Sequence, residues 1–195
     1  MLEEWLKQLR QMKDVAVATV DETGCPQVRI IDIMLVEGDK LYLVTARGKD
    51  FYRQLCSGGY AAIVGMNAHY QSIRVSGPVE RLPEQKLWID RVFEANPTMA
   101  GVYPGESRYI LEAFCLTVQK AEYFDLSDEP INRQAIGVEK GFDITSACIG
   151  CGLCAANCPQ SCIATGVPYR IEQAHCLHCG LCAENCPQGA IIRKG

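Results

Sequence analysis

Nine of the chain's twelve cysteines lie after Gly141, and eight of those nine fall into one pattern written twice. Cys148, Cys151, Cys154 and Cys158-Pro159 read C-x2-C-x2-C-x3-C-P. Cys176, Cys179, Cys182 and Cys186-Pro187 repeat it at a constant offset of 28 residues. Between the thiols, Gly152 matches Gly180, Leu153 matches Leu181, and Asn157 matches Asn185; Ile163 matches Ile191 just beyond them. This is an internal duplication. In a reducing compartment such a cluster of thiols points to metal rather than to disulfides.

The spacing has a chemical reason. Three thiolates two residues apart wrap one face of an iron–sulfur cubane, and glycine lets the backbone turn sharply toward the sulfides. The fourth cysteine follows on a short helical turn that points away, so it ligates the cluster of the other copy. That rule assigns Cys148, Cys151, Cys154 and Cys186 to one [4Fe–4S] cluster, and Cys176, Cys179, Cys182 and Cys158 to a second. Structural zinc also uses C-x2-C pairs, but as two separated pairs, not as a tripled run followed by C-P. The segment from Phe142 to Gly195 resembles the bacterial two-cluster ferredoxins along its whole length. Cys162 lies outside the pattern, with Ala190 as its counterpart, and reads as a packed thiol. His178 stands where the first copy has Gly150 and reads as a solvated or hydrogen-bonding residue, because four thiolates already complete that cluster.

Composition excludes several classes. The formal net charge is −4 with no basic block, which argues against nucleic acid and against an anionic membrane surface. No apolar run approaches the length of a bilayer span. The start, MLEEWLKQLRQMKD, alternates charge with apolar residues and lacks the apolar core of a secretory signal, so a cytoplasmic protein is expected. Cys25, Cys56 and Cys115 sit in mostly apolar segments and are expected to be small buried hydrophobes.

The elements that must carry any partner chemistry lie upstream. Leu2, Trp5, Leu6, Leu9 and Met12 share one helical face. Short β-rich runs follow: VAVATV, the turn DETG, QVRIIDIMLV, the turn EGDK, and LYLVT. Next come a helical stretch GKDFYRQL, YAAIVGM, a turn around NAHY, QSIRVSGPVERL, a helix EQKLWIDRVFEAN and a last strand AFCLTVQKAEYFDL. The charges of DETG and EGDK read as plainly solvated. The expected fold is mainly β with helices, a small β-barrel followed by a small α+β ferredoxin-like domain. No G-x-G-x-x-G follows a strand and no P-loop occurs, which argues against a Rossmann or nucleoside-triphosphate site.

The run VATVDETGCPQVRIIDIMLVEGDKLYLVTARGKDFYRQL, with QSIRVSGPVERL and NPTMAGVY behind it, resembles the pyridoxamine 5′-phosphate oxidase-like split β-barrels. The resemblance covers nearly all of residues 1–127 and implies a homodimer with FMN at the subunit interface. It implies that Arg29 and Lys49 hold the FMN phosphate, with Arg47 a further candidate in that loop. The backbone around Ile30 and the Thr45–Ala46 pair would line ring and phosphate, and Gln71 or Ser72 would reach the flavin from the next strand. A dianionic phosphate favours such a cationic fork with hydroxyl and amide donors. The family also includes binders of a deazaflavin and of haem. The chain lacks the oxidase's longer serine–arginine–lysine stretch and its pyridoxal-phosphate substrate set, which argues against oxidation of pyridoxamine phosphate.

Residues 128–141, polar and containing proline and glycine, read as a linker between a 1–127 flavin domain and a 142–195 two-cluster domain. Fully extended, that stretch would span about 45 Å. Clusters move electrons singly, whereas a flavin delivers them as a pair or as hydride. The expected activity is therefore a flavin-dependent reductase, fed by a one-electron donor such as a ferredoxin or reductase, and acting on a small organic acceptor. The alternatives are an electron carrier without an organic substrate and a sensor or oxygen-scavenging module. Tyr70, His69 and Tyr103 are candidate proton donors.

Overall fold

The chain is described over residues 1–195 by a computed structural model. It divides into two units, residues 1–68 with 72–121, and residues 69–71 with 122–195. No helix is long and apolar enough to cross a membrane.

The first unit opens with α1 (Leu2–Gln11), whose Trp5, Leu6 and Leu9 are buried, as the apolar face demands. Strand β1 (Val15–Val20) alternates buried and part-exposed residues and pairs antiparallel with β2 (Pro26–Ile31). The run QVRIIDIMLV, expected as one strand, is broken. It ends as β2 at Ile31 and resumes as β3 (Leu35–Glu37), which pairs instead with β4 (Lys40–Ala46). Met34 donates its amide to the Tyr42 carbonyl and Ile33 turns into the core, so the chain changes partners at Asp32–Met34.

Helix α2 (Asp50–Gly58), β5 (Tyr60–Met66) and β6 (Gln71–Arg81) follow, then α3 (Gln85–Ala95), two 3-10 turns and β7 (Leu111–Thr117). The sheet runs β2-β1-β5-β6-β7-β4-β3. Strand β6 is shared: its length through Pro78 pairs with β5, and Val79–Arg81 pair with β7. That sharing requires Gly77, because a Cβ there would lie 1.9 Å from the Thr117 carbonyl oxygen. Leu6, Leu9, Val17, Leu41, Leu43, Ile63, Ile73 and Phe114 form the buried interior. Helix α3 closes one side, with Trp88 stacked on Tyr42 at 4.8 Å between centroids.

The expected last strand also divides. Strand β7 ends at Thr117, and β8 (Lys120–Asp125) runs on into the second unit, where it pairs with β9 (Asn132–Ile136). Residues 128–141, expected as a linker, thus hold a paired strand and reach the start of β10 (Gly141–Ile144). Strand β10 pairs with β13 (Ile191–Lys194), and β11 (Ile163–Ala164) pairs with β12 (Arg170–Ile171). Between them lie two four-residue helices, α4 (Leu153–Ala156) and α5 (Leu181–Glu184). Cys154, Cys162, Ile163, Ile171, Cys176 and Ile191 make the small core.

Candidate functional site

The duplication in sequence is a duplication in backbone. Left-handed residues recur at matched places: Gly150 and His178, Gly152 and Gly180, Ser161 and Gly189. Gly152 and Gly180 cap α4 and α5, and each lies under an aromatic ring. A Cβ on Gly152 would come 3.3 Å from the Tyr169 hydroxyl, and one on Gly180 would come 3.3 Å from Phe142. Each loop therefore carries its thiols around a tight turn that glycine makes possible.

The thiols meet in two cavities. One is lined by Cys148, Cys151, Cys154 and Cys186, among Ile144, Leu153, Tyr169 and Ile191. The other is lined by Cys176, Cys179, Cys182 and Cys158, among Phe142, Ile163 and Leu181. In both, the fourth thiol comes from the opposite copy. Four soft donors lining an apolar hollow are the donor set an iron–sulfur cubane takes. Backbone amides already point at sulfur: His178 N–H lies 3.4 Å from Cys176 Sγ, and Ala190 N–H lies 3.3 Å from Cys186 Sγ. Cys162 is buried, as expected, and its Sγ lies 3.6 Å from Cys158 Sγ on the wall of the second cavity. His178 is half-buried against Gly141 rather than solvated, and burial with Arg133 beside it pushes the imidazole below its usual pKa.

The resemblance-derived residues are spread over four elements. Arg29 lies on β2 and donates to Thr19 Oγ1 at 2.6 Å and to Gln54 Oε1 at 2.7 Å. Its guanidinium also stacks on Phe51 at 4.5 Å. Phe51 and Gln54 belong to α2, and exposed Lys49 is that helix's N-cap, so one helix end links the two cations. Both partners of Arg29 are neutral. Thr45 on β4 is buried, and its Oγ1 has no hydrogen-bond partner. An orphaned hydroxyl, a helix N-terminus and two cations without a bonded carboxylate are each of the donor types that a phosphate takes. Ala46 accepts the Lys49 amide at 3.0 Å.

Four other candidates are differently engaged. Arg47 donates to the Tyr109 carbonyl at 2.8 Å and lies 3.6 Å from Glu112. Gln71 donates its amide to Asp125 at 2.7 Å, and Ser72 sits opposite Met66 in the β5–β6 ladder. The Ile30 side chain is 60% exposed on the outer face of β2, alongside Val28. Ala16 and Ala18 continue that face on β1, and Val64 and Met66 on β5. Tyr70 is exposed in the turn that also holds His69, whereas Tyr103 packs with α3.

Sequence reasoning missed Glu112. It lies buried on β7, opposite Thr45 in register, and is gripped by the Arg81 guanidinium, whose Nη2 is 3.0 Å away. The Arg81 hydrogen bond, opposed by burial and aided by Tyr52, holds the Glu112 carboxyl below its usual range. An acid inside the apolar run LEAFCLT was the available signal. Asp21 also departs from the solvated reading. Its carboxylate accepts from Thr23, Cys25 and Gln27, which lowers its pKa to about 2. Cys115 is buried as expected, but Cys25 and Cys56 are exposed. Cys25 sits in the Asp21 turn, and Cys56 on the helix face away from Phe51 and Leu55.

Comparison with known proteins finds two family matches: pyridoxamine 5′-phosphate oxidase over residues 1–123, and a 4Fe-4S dicluster domain over residues 147–190. Among curated proteins, none matches this chain. Among solved structures, similar folds include a NimC/NimA family protein from Clostridium acetobutylicum, 22% identical with a TM-score of 0.56. That match covers 69% of this chain and 90% of the other. A protein related to general stress protein 26, also from Clostridium acetobutylicum, is 16% identical with a TM-score of 0.56, covering 70% and 96%. PhzG from Burkholderia lata, in complex with tetrahydrophenazine-1-carboxylic acid, is 18% identical with a TM-score of 0.53, covering 69% and 83%.

Proposed function

Since this chain belongs to the pyridoxamine 5′-phosphate oxidase family and continues into a 4Fe-4S dicluster domain, we propose that it is an iron–sulfur flavoprotein that reduces a small organic acceptor. One observation carries the reading: a single chain joins that barrel to two hollows, each lined by the first three cysteines of one repeat and the fourth of the other. Cys148, Cys151, Cys154 and Cys186 hold one [4Fe–4S] cluster; Cys176, Cys179, Cys182 and Cys158 hold the other. The barrel (1–127) takes FMN, the C-terminal part (142–195) takes the clusters, and residues 128–141 join them.

In this reading Arg29, Lys49 and the Thr45 hydroxyl bind the flavin phosphate, and α2 presents its N-terminus to it. Arg47 is committed to Glu112 and the Tyr109 carbonyl, so its part is to shape the loop. When bound, the flavin supplies the exchange between single electrons and a hydride. A second copy covers the apolar outer face of β1, β2 and β5, where Val28, Ile30 and Met66 are each at least 59% exposed, which supports a homodimer. A ferredoxin-like or reductase donor supplies the electrons, and the cytoplasm is the compartment that keeps the thiols reduced.

Anaerobic stopped-flow at the flavin band tests the coupling. With a low-potential one-electron donor, the whole protein should reduce its flavin at least tenfold faster than the Cys151→Ala/Cys179→Ala double variant. Equal rates would sink the coupled reading. Fast flavin reduction without turnover on nitro compounds, quinones or enones would leave a carrier without an organic substrate.

A further inference from the structure

The two cysteine copies share a backbone but differ in what covers them. Over the first loop, position 150 is glycine and its nearest side chain is Val167, which is itself exposed; neighbouring Ile149 is 62% exposed. Over the second loop stands His178, in the same left-handed conformation but packed on Gly141. Strand β9 lies across that loop. Its Arg133 donates from Nε to the Cys176 carbonyl at 3.3 Å and stacks on Phe124 at 4.5 Å. The His175 ring Nδ1–H donates to the Ile131 carbonyl at 2.8 Å, which ties the same strand down one residue before the ligand Cys176.

Neither cavity is lined by a charged side chain, so the difference is decided by charge just outside the walls. In the cleft beside the second loop, Lys140 pairs with Glu122 at 3.0 Å and Lys194 with Asp143 at 2.7 Å. Glu139 is on the rim of the same cleft. Arg133 is the cation bonded to a ligand residue's backbone, and its partners there, a carbonyl and a ring, are neutral. A positive charge held near a cluster in a poorly polarisable surround stabilises the reduced, more negative form.

We infer that Arg133 sets the second cluster at a higher reduction potential than the first, so that an electron arriving through the open first loop comes to rest at the second. Arg133 is a positioning residue, and the connecting strand is a tuning element as well as a tether. The inference rests on the two-cluster reading above. The step balances simply: an external one-electron reductant reduces the first cluster, the electron then passes on, and the first cluster is reoxidised as the second is reduced. No bond or proton moves.

The test is an iron determination followed by a potentiometric titration of the full-length protein, read by electron paramagnetic resonance. Wild type holding about eight irons per chain should show two resolved midpoints. Arg133→Gln should lower the upper one about tenfold in occupancy, ~59 mV for one electron, and leave the lower one in place. Arg133→Lys, which keeps the charge, should restore most of the gap. Should Arg133→Gln fail to hold eight irons, Glu139→Gln takes its place: it removes an acid from the same cleft and should raise the upper midpoint. An unmoved pair of midpoints with eight irons present, or a shift of the lower one alone, overturns the inference. A wild type with about four irons sinks the two-cluster reading instead, before any variant is made.

Discussion

The cysteine region and the barrel hold their chemistry in opposite ways. In the cysteine region the donors are written three residues apart on one short stretch, and the backbone that carries them is fixed by left-handed residues at 150, 152, 178 and 180. In the barrel, the candidates Arg29, Thr45 and Lys49 come from separate elements, and their environment depends on strand register and on where α2 lies. The stabilising forces differ as well. The barrel buries a large apolar interior around Phe114, whereas the small core of the cysteine region consists half of thiols. The contrast teaches that a thiol set can be local in sequence with little apolar core beneath it, while a barrel's candidate residues are non-local and owe their placement to packing.

Stripping iron should break this comparison most visibly. A chelator under anaerobic conditions should abolish the order of residues 142–195, because binding free energy is folding free energy in small metal-held domains. The barrel's strands should survive, and hydrogen exchange resolved by segment would read both at once. Simultaneous loss of protection in β1–β7 would refute separate sources of stability. The complementary change is Phe114→Ala, which should cost about 3–5 kcal/mol by emptying the middle of the barrel. Denaturant titration of the iron-loaded protein should show that loss in the barrel transition and an unchanged iron content.

At the next scale, Arg29→Ala and Lys49→Ala should each weaken flavin binding by roughly 1.5–3 kcal/mol, the range for a hydrogen bond to a charged group. Fluorescence titration of the apoprotein with FMN measures it. Arg47→Ala should do less, since its guanidinium is already held by Tyr109 and Glu112. A larger loss at Arg47 than at Arg29 would show that the phosphate lies on the Glu112 side.

What was legible follows the same division. Which thiols line which hollow matches the grouping expected from spacing, because ligand geometry constrains neighbours along the chain, whereas the place of Cys162 on the second wall was not legible. The order of strands could be read from alternation and turns. The break at Asp32–Met34 could not, since nothing in QVRIIDIMLV says that its halves pair with different strands. Glu112 was hidden for the same reason: a buried acid is explained chiefly by Arg81, 31 residues away, which the β6–β7 pairing brings alongside. Gln54 and Thr19, the actual partners of Arg29, lie on a helix and a strand whose approach is set by packing. Asp21 sits between the two cases. The turn was legible, but the work of its carboxylate was not.

That carboxylate gives the smallest and cleanest prediction. Asp21 accepts hydrogen bonds from the Thr23 side chain and amide, the Cys25 amide and the Gln27 side chain, all within six residues. They favour the charged form, and the Thr23 hydroxyl contributes most to bringing the pKa to about 2 from an ordinary 3.8. A group whose folded pKa is depressed stabilises the fold above its unfolded pKa and loses that contribution as pH falls through the folded value. Wild type should therefore exceed Asp21→Asn in melting temperature at pH 5 to 7, and the difference should shrink steadily between pH 4 and pH 2. Because the turn is exposed the gap will be modest, and the Asn side chain keeps one acceptor, so Asp21→Ala should widen it. The cysteine region has no part in this, which calls for following the barrel's own far-ultraviolet signal. A gap that is constant from pH 6 to pH 2 would mean that Asp21 is merely solvated, and that the plain sequence reading of DETG was the better one.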